Sequence, residues 1–219
     1  MSQDLDLFVL DNSIRESTVG QLRGHTIKDK WEIFNEITKC GFRNRIAASY
    51  HHQRRVDDEF VKELLAKGDD PDGLWAFSGV TEGIIKKVLE NINSSCFGVV
   101  GNSTYNFKKF TVGDMCSLIE TLVKWVKTNL GSSSKILVSL RNQPDIMPTK
   151  PKRVFHVVDF LARLNLLFGI IFEEPRGKSL LEECATWAKF IRKVMDSVNW
   201  KGNLLAHVHE KFGYMDATA

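Results

Sequence analysis

The chain has 219 residues, of which 43% are hydrophobic and 26% charged, and its formal net charge is +3. This balance is typical of a soluble globular protein that is large enough to bury a substantial core. The one locally basic stretch, "TKPKR" at 149–153, is short and lacks interleaved aromatic residues. Composition therefore argues against a nucleic-acid partner.

Cysteines and apolar runs indicate the environment of the chain. The four cysteines never form a C-x-x-C pair, so they indicate neither a zinc knuckle nor a redox motif but a reduced, intracellular protein. The opening "MSQDLDLFVLD" lacks the basic and long apolar regions of a secretory signal. The most apolar run, "LLFGIIF", is too short to span a bilayer. We expect a cytoplasmic protein without a membrane partner.

Short β-rich runs alternate with longer amphipathic stretches, which is typical of β-α-β units. In chain order, strands are predicted at 7–13, 45–50, 73–80, 96–102, 135–142, 168–174 and 203–209. The first predicted helix begins after Thr26, a suitable N-cap, and stops at Gly41. Five more helices are predicted at 56–67, 81–91, 111–129, 152–166 and 179–198.

The predicted strands are nearly continuous apolar runs, as in a parallel sheet buried on both faces. Their even spacing, without a break in composition, predicts a single domain over residues 1–219. An open doubly wound sheet and a (β/α)8 barrel both fit this pattern. The turn after the first strand, "DNSIREST", lacks the glycines of a doubly wound nucleotide-binding fold, which favours the barrel. We therefore predict an α/β, TIM-type barrel that is incomplete and ends after the seventh strand.

Two histidines stand at the end of the seventh predicted strand. Because side chains alternate along a strand, His207 and His209 point to the same side. In a parallel barrel this end is the C-terminal rim, where active sites are built, and two imidazoles there suit a divalent metal. The alternative is two partly exposed histidines in a loop.

Charged residues end the first and sixth predicted strands and belong to the same rim. Glu16 beside two imidazoles would give a common ligand set for a catalytic metal, and Arg15 could stabilise a developing oxyanion. Glu173 or Glu174 ends the sixth strand. The alternative is that these residues form a solvated charge pair and an acidic turn.

Two stretches resemble one known family. "LDNSIRESTVGQ" and "AHVHEKFGYMDAT" resemble the opening strand and the histidine-x-histidine signature of the 3-hydroxy-3-methylglutaryl-CoA (HMG-CoA) lyase-like branch of the metal-dependent TIM-barrel enzymes. That branch includes isopropylmalate synthase and the carboxyltransferase domain of pyruvate carboxylase. The resemblance implies Arg15 as catalytic arginine, Glu174 as a retained catalytic acid, and Glu16, His207 and His209 as metal ligands.

The resemblance also implies a function. It indicates carbon–carbon lyase or aldol/Claisen-type chemistry through an enolate-like intermediate, on an acyl-CoA or a 2-oxo acid. The implied metal is Mg2+ or Mn2+ rather than Zn2+, with no other cofactor.

Three departures from the family favour an alternative. Glu16 replaces the family's aspartate, Ile46 stands where its second strand bears a glutamate, and its last strand would lie beyond Ala219. These changes fit an inactive relative that acts as a binding or structural protein. The absent strand also suggests a homo-oligomer, or a partner that completes the barrel.

Overall fold

The structure is a computed structural model. It describes residues 7–16, 25–49, 55–68, 72–78, 98–101, 107, 110–140, 143–174 and 179–208. Of the cysteines within these ranges, Cys40 is exposed, Cys116 is half-buried and Cys184 is buried.

The described strands form one seven-stranded sheet in the order β1 to β7, and every neighbouring pair is parallel. Sequential parallel order is the order of a (β/α) barrel, whereas a doubly wound sheet reverses its strand order. All seven predicted strand positions are confirmed. Their bounds are β1 Leu10–Asp11, β2 Asn44–Ser49, β3 Leu74–Ser78, β4 Gly98–Gly101, β5 Ile136–Leu140, β6 Gly169–Glu174 and β7 Asn203–Val208.

The described helices connect these strands, and none of them is long and apolar enough to cross a bilayer. The predicted helix at 81–91 lies outside the described residues, and the other five predicted helices are confirmed to within a few residues. Two one-turn helices, α1 and α5, were not expected. The bounds are α1 Ser13–Glu16, α2 Ile27–Lys39, α3 Arg55–Ala66, α4 Val112–Leu130, α5 Gln143–Ile146, α6 Pro151–Leu164 and α7 Leu181–Ser197.

The first strand is shorter than predicted, because the chain turns into a helix after Asp11. The prediction of a strand from residue 7 to residue 13 is therefore wrong in its extent. The Asp11 carboxylate accepts hydrogen bonds from the backbone N–H of Ser13 at 3.0 Å and from its hydroxyl at 3.1 Å. An aspartate that bonds the backbone two residues ahead ends a strand and starts a turn. As a result, Arg15 is carried by a helical turn and not by an extended loop.

The ends of α2 follow the sequence signals. The Thr26 hydroxyl accepts from the backbone N–H of Asp29, and the Asp29 carboxylate accepts from the backbone N–H of Thr26, which makes a capping box. After the helix ends, Gly41 has a φ of +85°, a conformation that glycine adopts without strain. The predicted N-cap and stop are both confirmed.

Alternate residues of each strand face opposite sides of the sheet. One face packs on the helices, and the other forms a smaller interior cluster of Ile46, Trp75, Phe77, Leu137 and Ile171. Near the amino-terminal ends of the strands, Phe8 packs edge-to-face on Trp75 and Phe168. Towards the carboxyl ends of the strands the interior becomes polar, and the candidate site lies there.

Candidate active site at the C-terminal rim

A cavity of about 80 Å³ lies at the carboxyl ends of the strands, on the interior side of the sheet. Its wall combines apolar side chains from five strands with polar groups from β5, β7 and the segment after β1. The described residues that line it are Leu10, Asn12, Arg15, Ile46, Phe77, Ser139, Ile171, Leu205, Ala206 and His207. In parallel barrels this rim is where catalytic residues gather.

Arg15 contributes the positive charge of the cavity wall. It lies on α1, immediately after β1, and its guanidinium carbon is 3.6 Å from the centroid of the Phe77 ring. A guanidinium over an aromatic face is attracted by the ring electrons, and its N–H groups can still donate hydrogen bonds to other partners. The stacking thus fixes a permanent cation at the end of β3.

Glu173 and His207 bring a carboxylate and an imidazole to neighbouring strands. Glu173 is 8% exposed, and its carboxylate accepts a hydrogen bond of 2.6 Å from the Ser139 hydroxyl. Glu173 of β6 is paired in register with His207 of β7. Because neighbouring strands lie about 4.8 Å apart, the two side chains start close together at the rim.

The structure places two of the predicted site residues in one wall: Arg15 and His207 both line the rim cavity. The backbones of Glu16 and Glu174 end α1 and β6, but their side chains lie outside the described residues, and so does all of His209. Within the described ranges, no group of three or more His, Cys, Asp and Glu side chains is arranged to hold a metal ion. The roles of Glu16, Glu174 and His209 stay predictions.

Ser139 is a rim residue that was not predicted from the sequence, and Glu173 is one of the two acidic residues that were predicted to end the sixth strand. Ser139 is a buried polar residue within the otherwise apolar strand β5, and its neighbours Val138 and Leu140 face the helices. Counting by two from Ile171, which belongs to the interior cluster, places Glu173 on the interior face. Strand alternation was the signal that could have identified both residues.

Ile46 occupies an interior position near the carboxyl ends of the strands. It is 5% exposed and lines the rim cavity. An aliphatic side chain there offers no ligand and makes this part of the wall apolar.

The donors at the rim are of a kind that suits a divalent cation. The buried carboxylate is an oxygen donor of the kind that Mg2+ and Mn2+ prefer, and the imidazole on the adjacent strand is a ligand that divalent transition-metal ions accept. The described residues thus fit part of a metal site.

The sheet and the cavity together define a parallel (β/α) barrel with a partly polar rim. No family model matches the sequence, and a search of curated proteins finds no match. Solved structures do match.

Three HMG-CoA lyases are similar in structure, and the alignment to each covers 95% of this chain. The enzyme from Pseudomonas aeruginosa has a TM-score of 0.67 at 12% identity over 70% of its own length. The enzyme from Bacillus subtilis has a TM-score of 0.70 at 14% identity, again over 70% of its length. The enzyme from Acinetobacter baumannii, in complex with coenzyme A and 3-methylmalate, has a TM-score of 0.60 at 12% identity over 76% of its length.

At these identities the likeness shows the fold. The chain has the α/β fold of the HMG-CoA lyase barrels, and the resemblance inferred from its two motifs is confirmed at that level. The predicted TIM-type barrel is likewise confirmed, with seven described strands and an alignment that spans 70% of two of the lyases.

Proposed function

We propose that this chain is a divalent-metal-dependent carbon–carbon lyase, or an aldol/Claisen-type enzyme, that acts on an acyl-CoA or a 2-oxo acid. The observation that carries the proposal is the convergence of Arg15 and His207 on one rim cavity in an HMG-CoA lyase-type fold. A fixed cation and an imidazole at that rim are groups that this chemistry uses.

The proposed metal ligands are His207, His209 and Glu16. His207 lies on the cavity wall, and Glu173 adds a carboxylate on the adjacent strand. A bound divalent ion would supply Lewis-acid polarisation of a substrate oxygen. The resemblance to the HMG-CoA lyase-like family implies Mg2+ or Mn2+ rather than Zn2+, and the carboxylate donors are of the kind that these two ions prefer.

Arg15 is the proposed electrophilic helper. Its N–H groups would donate hydrogen bonds to the substrate oxygen on which negative charge develops when the carbon–carbon bond breaks. The apolar walls formed by Ile46 and Phe77 exclude water, and each charge–charge contact is stronger in a water-poor site.

An acid at the end of β6 is the proposed proton acceptor. The resemblance implies Glu174 as the acidic catalytic residue retained at this place, and Glu173 is the described carboxylate that could accept the proton. The Ser139 hydroxyl donates to Glu173 and so fixes the orientation of the carboxylate. A carboxylate so held can take the proton of a substrate hydroxyl that comes within hydrogen-bond distance.

Fold similarity supports the choice of substrate class to test. The solved A. baumannii lyase is a complex with coenzyme A and 3-methylmalate. This supports an acyl-CoA thioester as the first class to test, with 2-oxo acids as the second.

The test begins with metal. Calorimetric titration of the metal-stripped chain with Mn2+ and Mg2+ should show saturable binding that disappears in His207→Ala/His209→Ala. His156→Ala is the matched control, because His156 is an exposed histidine on α6, and it should bind like wild type. Absence of binding to folded wild type would contradict the metal site.

Turnover is then measured by mass spectrometry on a panel of 3-hydroxyacyl-CoA thioesters and 2-oxo acids with Mn2+ present. Arg15→Met should lower kcat/KM roughly 10²-fold or more, as expected for the loss of a donor to a developing oxyanion. Equal kcat/KM in wild type and Arg15→Met would contradict the role of Arg15.

The second candidate is an inactive relative that binds without turnover. The observation in its favour is Ile46, an aliphatic residue in the cavity wall where the family has a glutamate. Metal binding without cleavage of any substrate in the panel would support this alternative.

A further inference from the structure

Helix α1, which carries Arg15, has only four residues. A single helical turn is not stable by itself, because nucleation fixes several dihedral angles for one hydrogen bond. Its placement must therefore come from contacts with the rest of the fold. Two such contacts involve Ile14: its side chain is fully buried in the layer between sheet and helices, and its carbonyl accepts a hydrogen bond of 3.0 Å from the Lys30 ammonium.

Lys30 is itself fully buried, although it lies near the start of α2 and carries a charge. Its Nζ is 2.9 Å from Oδ1 of Asp57, which is also fully buried at the start of α3. The second carboxylate oxygen of Asp57 accepts a 2.7 Å hydrogen bond from the backbone N–H of Ser49, the last residue of β2. One ion pair thus connects α1, α2, α3 and the carboxyl end of β2.

Burying two charges is costly, and well-packed apolar residues of similar volume often stabilise a fold equally well. Stability alone is therefore a weak explanation for a buried lysine and aspartate. The geometry of the pair is more informative, because the lysine ammonium donates to a backbone carbonyl of α1 while it is also paired with the Asp57 carboxylate.

We propose that Lys30, held by Asp57, is a positioning residue that sets the orientation of α1 and so places Arg15 over Phe77 at the rim cavity. Arg15 is the next residue after Ile14, whose carbonyl Lys30 binds. The Arg15–Phe77 stacking at 3.6 Å depends on the direction in which α1 leaves β1. The consequence for catalysis rests on the proposed function, whereas the positioning does not.

The test is a spectroscopic signature of the stacking. Because Arg15 lies over an aromatic ring, its side-chain Nε–Hε NMR signal is shifted by the ring current of Phe77. The signal is assigned from its absence in Arg15→Lys, and Phe77→Leu gives its position without the ring. In Lys30→Met we expect the signal to move towards the Phe77→Leu position.

Two further variants make the result decisive. Lys30→Met/Asp57→Asn leaves no uncompensated buried charge and keeps an acceptor for the Ser49 N–H. If Lys30→Met does not fold, the Arg15 signal is therefore measured in this double variant. Leu161→Ala destabilises the opposite half of the molecule, and its Arg15 signal should remain at the wild-type position. A wild-type signal in the folded lysine variants, or an equal shift in Leu161→Ala, would overturn the proposal.

The positioning and the proposed function can fail independently, since the NMR experiment needs neither metal nor substrate. Where turnover is found, Lys30→Met should lower kcat when Arg15 is present and should have no further effect in an Arg15→Met background. An equal loss in both backgrounds would show that Lys30 does not act through Arg15 and would overturn the proposal.

Discussion

The two halves of the sheet are covered by helices in different ways. In the first half, α2 and α3 pack on β2 and β3 around a small apolar cluster, and the fully buried Lys30–Asp57 pair lies within the same layer. In the second half, α4, α6 and α7 pack on β5 and β6 around a much larger cluster. Among the described residues, that second layer buries no charged side chain.

The two halves differ in the kind of interaction that holds their helices on the sheet. The second half is held by dispersion and the hydrophobic effect, which are not directional and tolerate apolar exchange. The first half uses a directional pair, and the helix that it orients carries Arg15. Among the described residues, the smaller apolar cluster thus lies in the half whose first helix carries Arg15.

The largest expected effect is in the first half. Asp57→Ala would leave Lys30 as an uncompensated buried charge and the Ser49 N–H without its carboxylate acceptor, so we expect a loss of about 3–5 kcal/mol in the free energy of unfolding. Urea denaturation measures it. The matched control is Glu182→Ala, an acidic residue in the first turn of α7 that is exposed, with an expected change within about 0.5 kcal/mol. Equal losses in both variants would break the comparison.

The second half should respond to volume and not to charge. Leu161 is fully buried on α6, so Leu161→Ala should cost about 2–5 kcal/mol through the cavity that it leaves. Leu161→Met conserves volume and should cost less than about 1.5 kcal/mol. Both values come from the same urea titrations. If Leu161→Met is as damaging as Leu161→Ala, the second layer is more strictly specified than its composition indicates.

The sequence predicted the strands well because their signal is local. Apolar runs such as β5, in which Ile136, Leu137, Val138 and Leu140 are all fully buried, can be recognised without knowing their neighbours. The length of β1 was overestimated. The backbone N–H and the hydroxyl of Ser13 donate to the Asp11 carboxylate, and these bonds turn the chain after a strand of only two residues.

The site was only partly predictable. Arg15 and His207 could be placed at the rim because every parallel strand ends there. The Ser139–Glu173 bond joins residues 34 positions apart, and it depends on which strands are neighbours and on their register. The role of Lys30 was hidden for a similar reason: a lysine in an amphipathic helix is normally exposed, and only the packing of α2 on α3 shows that this one is buried.

The smallest expected effect on stability is at a feature that both halves share, the cap at the start of a helix. Both α2 and α4 begin with a threonine whose hydroxyl accepts from the backbone N–H of an aspartate three residues later. Thr26→Ala and Thr111→Ala should therefore each cost about 1 kcal/mol, independently of the charged or apolar layer below. A clearly larger cost for Thr26→Ala would mean that the α2 cap also supports the placement of Lys30.

The α2 cap should also respond to pH, in a direction fixed by Asp29. Hydrogen bonds from the backbone N–H and then the hydroxyl of Thr26 lower the pKa of Asp29 below its usual 3.8. Because the folded state holds the charged carboxylate more strongly than the unfolded chain does, the stabilisation is complete above that value and is lost as the pH falls through the lower pKa of the folded protein. The stability difference between wild type and Asp29→Asn should thus be constant near neutral pH and become smaller in strong acid. Unfolding titrations from neutral pH downwards measure it, and a difference that grew on acidification would show that protonated Asp29 is the better cap.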